Sequence, residues 1–91
     1  MVNEVQGFRV FNPHVGTRDG LEFTASHNHV DLPCFISGTA LGILRGNIKG
    51  SLEDVFNERW NLIALAVSRK SVSTPAGQEI VVNSADVMAP G

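Results

Sequence analysis

The sequence predicts an α+β fold in which an antiparallel sheet of about four short strands carries two helices packed on one face. Three features of the sequence lead to this prediction: two alternating apolar runs with a short polar break between them, one long amphipathic segment behind a capping signal, and a β-branched run near the C-terminus. We expect one domain over residues 1–91, with an ordered core from about residue 7 to about residue 85 and a frayed tail from Asp86.

The strands are predicted from alternation and from turn residues. The two central runs are joined by His27-Asn28-His29, where Asn28 suits a left-handed turn, so they form an antiparallel hairpin. Pro33 has no N–H to donate to a neighbouring strand. We therefore expect the second run to lie at an edge of the sheet or to contain a bulge at Pro33. The sequence leaves open whether Ser71–Ser73 forms a further short strand. The predicted strands are Gly7–Phe11, Leu21–Ser26, Val30–Ile36 and Glu79–Asn83.

Both helices are predicted from their caps. Ser37 precedes a short helix, Gly38–Arg45, that Gly46 closes. Ser51 and Asp54 resemble a capping box ahead of one long helix from Leu52 to about Lys70. At 100° per residue its apolar arc contains seven residues, with Arg59 inside the arc. They are Leu52, Val55, Phe56, Trp60, Ile63, Ala66 and Val67.

Composition limits the class of protein. Cys34 is the only cysteine, which excludes an internal disulfide and a cysteine-based zinc cluster. A formal net charge of −2 makes a duplex-DNA role unfavourable, and the longest apolar run, Leu62–Val67, is too short to cross a bilayer. The lone cysteine and an N-terminus unlike a signal peptide indicate a cytoplasmic protein. Since 91 residues give only a thin core, we expect stabilisation by self-association, as a homodimer.

The order of several short motifs resembles a known family. They are Leu21-Glu22-Phe23-Thr24-Ala25, Cys34-Phe35-Ile36-Ser37 with Ala40-Leu41, a helix bearing Phe56, Arg59, Trp60 and Ala66, and Gly77 ahead of Ile80-Val81-Val82. Together they resemble small bacterial proteins of the domain of unknown function 1488 family. The resemblance implies an α+β fold and brings no established activity, substrate or catalytic residue. The chain departs from the family at Leu62–Ala66, which is apolar where such proteins look acidic.

Arg59 is the first candidate for chemistry. A guanidinium inside an apolar arc must reach water or find an acceptor, and Asp31 or Glu22 on the sheet are available partners. Two interpretations stay open: a structural ion pair, or an anion anchor that Arg45 and Lys49 would complete.

A weak metal site is the second candidate. His27, His29 and Asp31 recur at every second residue, and imidazole with carboxylate suits zinc or nickel. If Asn28 forms the turn, however, the two imidazole rings point away from each other, and both histidines are solvated turn residues. No cofactor is expected.

Other residues have ordinary structural explanations. We expect Cys34 in the core, and Glu53, Asp54 and Glu58 solvated at a helix start. Glycine recurs at every fourth residue, at Gly38, Gly42, Gly46 and Gly50, a spacing that matches no phosphate-binding motif. We expect Gly42 to permit the close approach of another helix, and Gly46 and Gly50 to shape turns.

These observations favour a function without catalysis. Because the sequence contains no recognisable set of nucleophile and base, we expect a small binding or regulatory domain that acts through protein–protein contacts, and not an enzyme. Leu65 interrupts the polar arc beside Leu62 and could extend a patch that a second subunit covers. Two alternatives remain: anion or small-molecule binding centred on Arg59, and single-stranded nucleic acid on the sheet through Phe11 and Phe35 near Arg9.

Overall fold

The computed structural model describes residues 4–88 and contains four strands and four helices. The α+β class is confirmed. In chain order the elements are β1 (Arg9–His14), β2 (Gly20–His27), β3 (Val30–Ser37), α1 (Gly38–Arg45), α2 (Leu52–Glu58), α3 (Trp60–Ser71), β4 (Ile80–Val82) and α4 (Ser84–Met88). Over this part of the chain, no helix combines the length and apolar character that a membrane crossing requires.

The sheet is mixed, so the prediction of an antiparallel sheet is wrong for its last strand. The strand order is β1-β2-β3-β4, and β1, β2 and β3 pair antiparallel. β4 runs parallel to β3, with Cys34 opposite Ile80 and Ile36 opposite Val82. Because α1, α2 and α3 lie between these two strands, the chain returns to the starting end of β3 before it enters β4. A helical crossover of this kind is the usual link between parallel strands.

The predicted hairpin is confirmed as β2 and β3. Its two-residue turn is Asn28-His29, and both residues have positive φ, 53° and 65°. Pro33 pairs opposite Thr24 without a bulge, while β4 pairs with β3 only from Cys34 onward. Pro33 therefore lies where β3 has a neighbour on one side only, and its missing N–H interrupts no second ladder.

Local capping signals are confirmed at two helices. The Ala40 amide donates to Ser37 Oγ (3.1 Å) at the start of α1, and Gly46 ends that helix with a φ of 54°. Ser51 and Asp54 form the reciprocal capping box of α2, at 2.9 and 3.3 Å.

The long helix is interrupted, so the prediction of a single segment from Leu52 to Lys70 is wrong. Arg59 adopts φ −114° and ψ 21° and separates α2 from α3, which puts three helices rather than two between β3 and β4. Ser71 ends α3 and begins no strand. Asp86–Met88, predicted as the start of a frayed tail, belong to α4, and the rest of that tail lies outside the described residues.

One hydrophobic cluster joins the sheet and the helices. Alternate residues of β2 and β3 enter it, among them Phe23, whose ring meets that of Phe56 from α2 edge-on at 5.1 Å between centroids. Buried residues from α1, α2 and α3 complete the same cluster. Within residues 4–88 every buried side chain of the core is apolar, so polar chemistry is confined to the surface.

Candidate functional site

Arg59 is fixed by a main-chain acceptor. Its Nε donates to the carbonyl oxygen of Leu44 at 2.9 Å, in the last turn of α1. The expected partners Asp31 and Glu22 therefore do not hold it. Helix C-termini carry unpaired carbonyls and a partial negative charge, so a guanidinium there caps the helix.

Arg45 has a similar environment. Its Nη1 donates to the carbonyls of Ile48 (3.1 Å) and Gly50 (3.2 Å) and so shapes the loop between α1 and α2. Lys49 lies exposed in that loop. The three predicted anion-binding residues thus lie around the C-terminal end of α1, where carbonyl oxygens are presented and an anion is electrostatically disfavoured. A Cβ at Gly42 would meet nothing within 4 Å, so this glycine serves no close approach.

The histidines belong to the hairpin and do not converge. His27 stacks on Phe8 with centroids 4.1 Å apart, and its Nδ1 donates to the Gly7 carbonyl at 3.1 Å. Asn28 Nδ2 lies 3.2 Å from His27 Nε2, so the second ring nitrogen also has a hydrogen-bond partner. His29 lies in the turn at positive φ. No group of three potential metal ligands is assembled anywhere between residues 4 and 88.

Cys34 lies in the core as expected. Its side chain is 2% exposed, and its Sγ–H donates weakly to the Leu32 carbonyl at 3.5 Å. Burial raises the pKa of the thiol to about 12. A nucleophilic cysteine needs the opposite shift and needs access, so this thiol has neither property of a catalytic residue.

The open face of the sheet carries a cation that the sequence did not single out. Arg18 lies over the Phe35 ring, 4.0 Å from its centroid, and donates two hydrogen bonds to Glu79 at 2.7 and 2.6 Å. Glu79 raises the pKa of Arg18, and the guanidinium in turn lowers the pKa of Glu79. Phe35 is left 7% exposed, so it presents no free ring to a nucleobase. Phe11 stays partly accessible beneath Arg9, 5.5 Å from its ring centroid.

The acids of α2, which the sequence predicts to be solvated at a helix start, lie at both ends of that helix. Asp54 is engaged in the capping box, and Glu53 lies beside it in the first turn, where the helix dipole favours acids. Glu58 is exposed at the last position of α2.

The most distinctive surface is the outer face of α3. Leu62, Leu65 and Arg69 follow one another at intervals of three and four residues, which places them along one side of α3, and Val72, the C-cap residue, follows three positions later with helical φ and ψ. Leu62 is 44% exposed and Val72 is 88% exposed. We call these four residues the α3 outer face. The sequence indicated Leu62 and Leu65, but not Arg69 or Val72.

A groove runs along each side of the α3 outer face. The larger groove, of about 630 Å³, lies toward the hairpin and is lined by Gln6, Phe8, His27, Leu32, Leu65, Ser68, Arg69, Ser71 and Val72. The smaller groove, of about 200 Å³, lies toward α1 and α4 and is lined by Leu44, Leu62, Leu65, Ala66, Arg69, Asp86 and Val87. Leu65 and Arg69 border both grooves and form the ridge between them.

Most polar groups of the larger groove are already bonded within the chain. Ser68 Oγ donates to the Leu65 carbonyl at 2.7 Å, and Ser71 Oγ donates to the Ser68 carbonyl at 2.8 Å. Both nitrogens of His27 are engaged as well. Small-molecule sites need a few convergent polar groups that are free to orient a ligand. The smaller groove presents mainly apolar side chains, and the larger groove combines apolar side chains with polar groups that are mostly bonded within the chain.

No family model, curated protein or solved structure matches this chain.

Proposed function

We propose that this chain is a non-catalytic binding domain that acts through protein–protein contacts and self-associates through the α3 outer face. The observation that carries the proposal is the apolar row formed by the exposed Leu62, the half-buried Leu65 and the exposed Val72 at the end of α3, with a groove on each side. Removing such side chains from water stabilises an interface by about 25 cal/mol per Å² of apolar surface. Exposed contiguous apolar patches on small domains are typical of interaction sites.

The arrangement of polar groups supports a binding role over catalysis. The candidate arginines Arg45 and Arg59 donate to main-chain carbonyls, and Cys34 is buried with a raised pKa. The one cysteine is therefore not placed to act as a nucleophile. Membership of the domain of unknown function 1488 family and a cytoplasmic location are part of the same proposal, the latter because Cys34 is an unpaired thiol.

Analytical ultracentrifugation of the full chain tests the proposal. We expect the weight-average mass to rise from monomer toward dimer between about 5 and 500 µM, because an interface built on one helix is small and binds in the micromolar range. Leu62→Glu should shift that rise to at least tenfold higher concentration, since it places a carboxylate in the interface, at about 1.4 kcal/mol or more.

Ile43→Glu is the matched control. Ile43 is 42% exposed on α1, close to the 44% of Leu62, and lines neither groove. We expect this variant to associate like the wild type. A wild-type chain that stays monomeric throughout, or equal effects of the two substitutions, would contradict the proposal. Circular dichroism establishes that both variants are folded.

A further inference from the structure

We propose that α4 is a strap that opens and closes over the smaller groove as a unit of its own, and that Asp86 holds it closed. The inference follows from one arrangement. The short helix after the last strand is tied to the rest of the fold through a single carboxylate, and it walls a groove whose other side chains come from α1 and α3. It does not depend on the proposed self-association.

The helix α4 is too short to be stable without its contacts. It contains five residues, and none of these five is buried in the structure. Isolated helices of fewer than about 12–15 residues are marginal in water. Val87 packs against the hydrophobic cluster and is itself only partly buried. Segments with so few buried apolar contacts open locally while the rest of a domain stays folded.

Asp86 makes two contacts that hold the strap. Its Oδ2 accepts a hydrogen bond from the Asn83 amide at 2.8 Å, which closes the first turn of α4, and lies 3.2 Å from Lys70 Nζ on α3. The side chains of Lys70 and Asp86 are 30% and 19% exposed, so water and salt screen this pair less than a fully exposed one. Because one oxygen atom serves both contacts, losing it frees the start of α4 and its link to α3 together.

Opening of the strap changes the surface of the protein. Asp86 and Val87 form the α4 side of the smaller groove, and Leu44 of α1 and Ala66 of α3 lie on its other side. In the closed arrangement Leu44 is 8% exposed and Ala66 is 3% exposed. With α4 displaced, both side chains join the exposed Leu62 at the surface. The strap therefore sets how much apolar surface this side of the protein presents to water.

Thiol labelling of an Ala66→Cys chain tests the strap. The groove of about 200 Å³ leaves room for the added sulfur, and the buried Cys34 of the same chain reports larger openings. A disulfide reagent is added at about 1 µM chain, below the concentrations at which we expect self-association. We expect the thiol introduced at position 66 to react at least about tenfold faster than Cys34, because only the strap must open.

Variants of the two holding contacts are then made in the Ala66→Cys chain. Asp86→Ala should raise the labelling rate at position 66 about tenfold, because it removes both contacts. Asp86→Asn and Lys70→Met should each raise it about threefold, since they remove only the ion pair, and combining them should add little. Glu58→Gln is the matched control: it removes an exposed carboxylate outside the groove and should leave the rate unchanged.

Three results would overturn the strap. Position 66 may label no faster than Cys34 in every chain, in which case the groove does not open locally. The variants of Asp86 and Lys70 may leave the rate at position 66 unchanged, in which case they do not hold α4. Asp86→Ala may accelerate both thiols equally, in which case Asp86 stabilises the whole fold. None of these results bears on the proposed function, which sedimentation of the wild type tests separately.

Discussion

The side chain of Arg59 joins two helices: its Nε donates to the Leu44 carbonyl at 2.9 Å and ties the α2–α3 junction to the end of α1. Arg59, which separates α2 from α3, thus also caps the C-terminal end of α1. This contact explains how a guanidinium is accommodated inside an apolar arc, since its head meets a carbonyl at the rim of the core.

Arg59→Ala should lower the free energy of unfolding by about 1–2 kcal/mol, because a charged donor is removed from a helix-end carbonyl. Urea denaturation followed by circular dichroism measures the change. Lys49→Ala is the control and should stay within about 0.5 kcal/mol of the wild type, since Lys49 is exposed. An Arg59→Ala variant as stable as the control would show that the hydrogen bond to Leu44 contributes little.

His29→Gly should stabilise the chain by about 0.5–1 kcal/mol. His29 has a φ of 65° in a two-residue hairpin turn. A side chain incurs a steric cost at this φ, and glycine does not. His29→Ala provides the control, because alanine keeps the Cβ and should bring no gain. Thermal unfolding of the wild type and the two variants checks this, and equal midpoints for His29→Gly and His29→Ala would argue against turn strain.

The pH dependence of stability should carry a contribution from Glu79. Arg18 holds the pKa of this carboxyl below its ordinary value of 4.5, so its stabilising effect is complete above that pH and is lost as the pH falls through the lowered folded-state pKa. Glu79→Gln should therefore show a smaller loss of stability on acidification below about pH 5.

Arg18→Met should reduce the same acid-dependent loss, and combining it with Glu79→Gln should add little further, because the two side chains act as one pair. Denaturation at a series of pH values from about 3 to 7 provides the comparison. Fully additive effects of the two substitutions would show that the pair is uncoupled.

The Cys34 thiol should react with a disulfide reagent only when the chain opens. It is 2% exposed, and burial raises its pKa to about 12, so the folded protein offers almost no thiolate. We expect labelling at pH 8 to be slower by at least a factor of about 100 than in denaturant, where one thiol per chain reacts at once. Fast labelling of the native protein would contradict the burial of this residue.

Much of the fold could be predicted because its signals are local. The Ser37 cap, the Ser51–Asp54 capping box and the hairpin turn at Asn28 each depend on residues within three or four positions of one another. The burial of Cys34 likewise follows from alternation within a single strand.

The remaining features depend on pairs that are distant in sequence. Arg18 and Glu79 are 61 positions apart, and no periodicity links them. Arg59 caps a helix end 15 positions earlier, so its acceptor was unknown from sequence and the sheet acids were expected instead. The direction of β4 depends on where the three preceding helices deliver the chain, which short strand patterns do not specify.

The central claim is that two α3 outer faces form a dimer. An isotope-filtered NOE experiment tests it most directly, on a mixture of carbon-13-labelled and unlabelled full-length chains at a total chain concentration above the dissociation constant. We expect intermolecular contacts that involve the methyl groups of Leu62 and Leu65. A sample that sediments as a dimer but whose intermolecular contacts come instead from Phe11 or Val81, on the open face of the sheet, would contradict it.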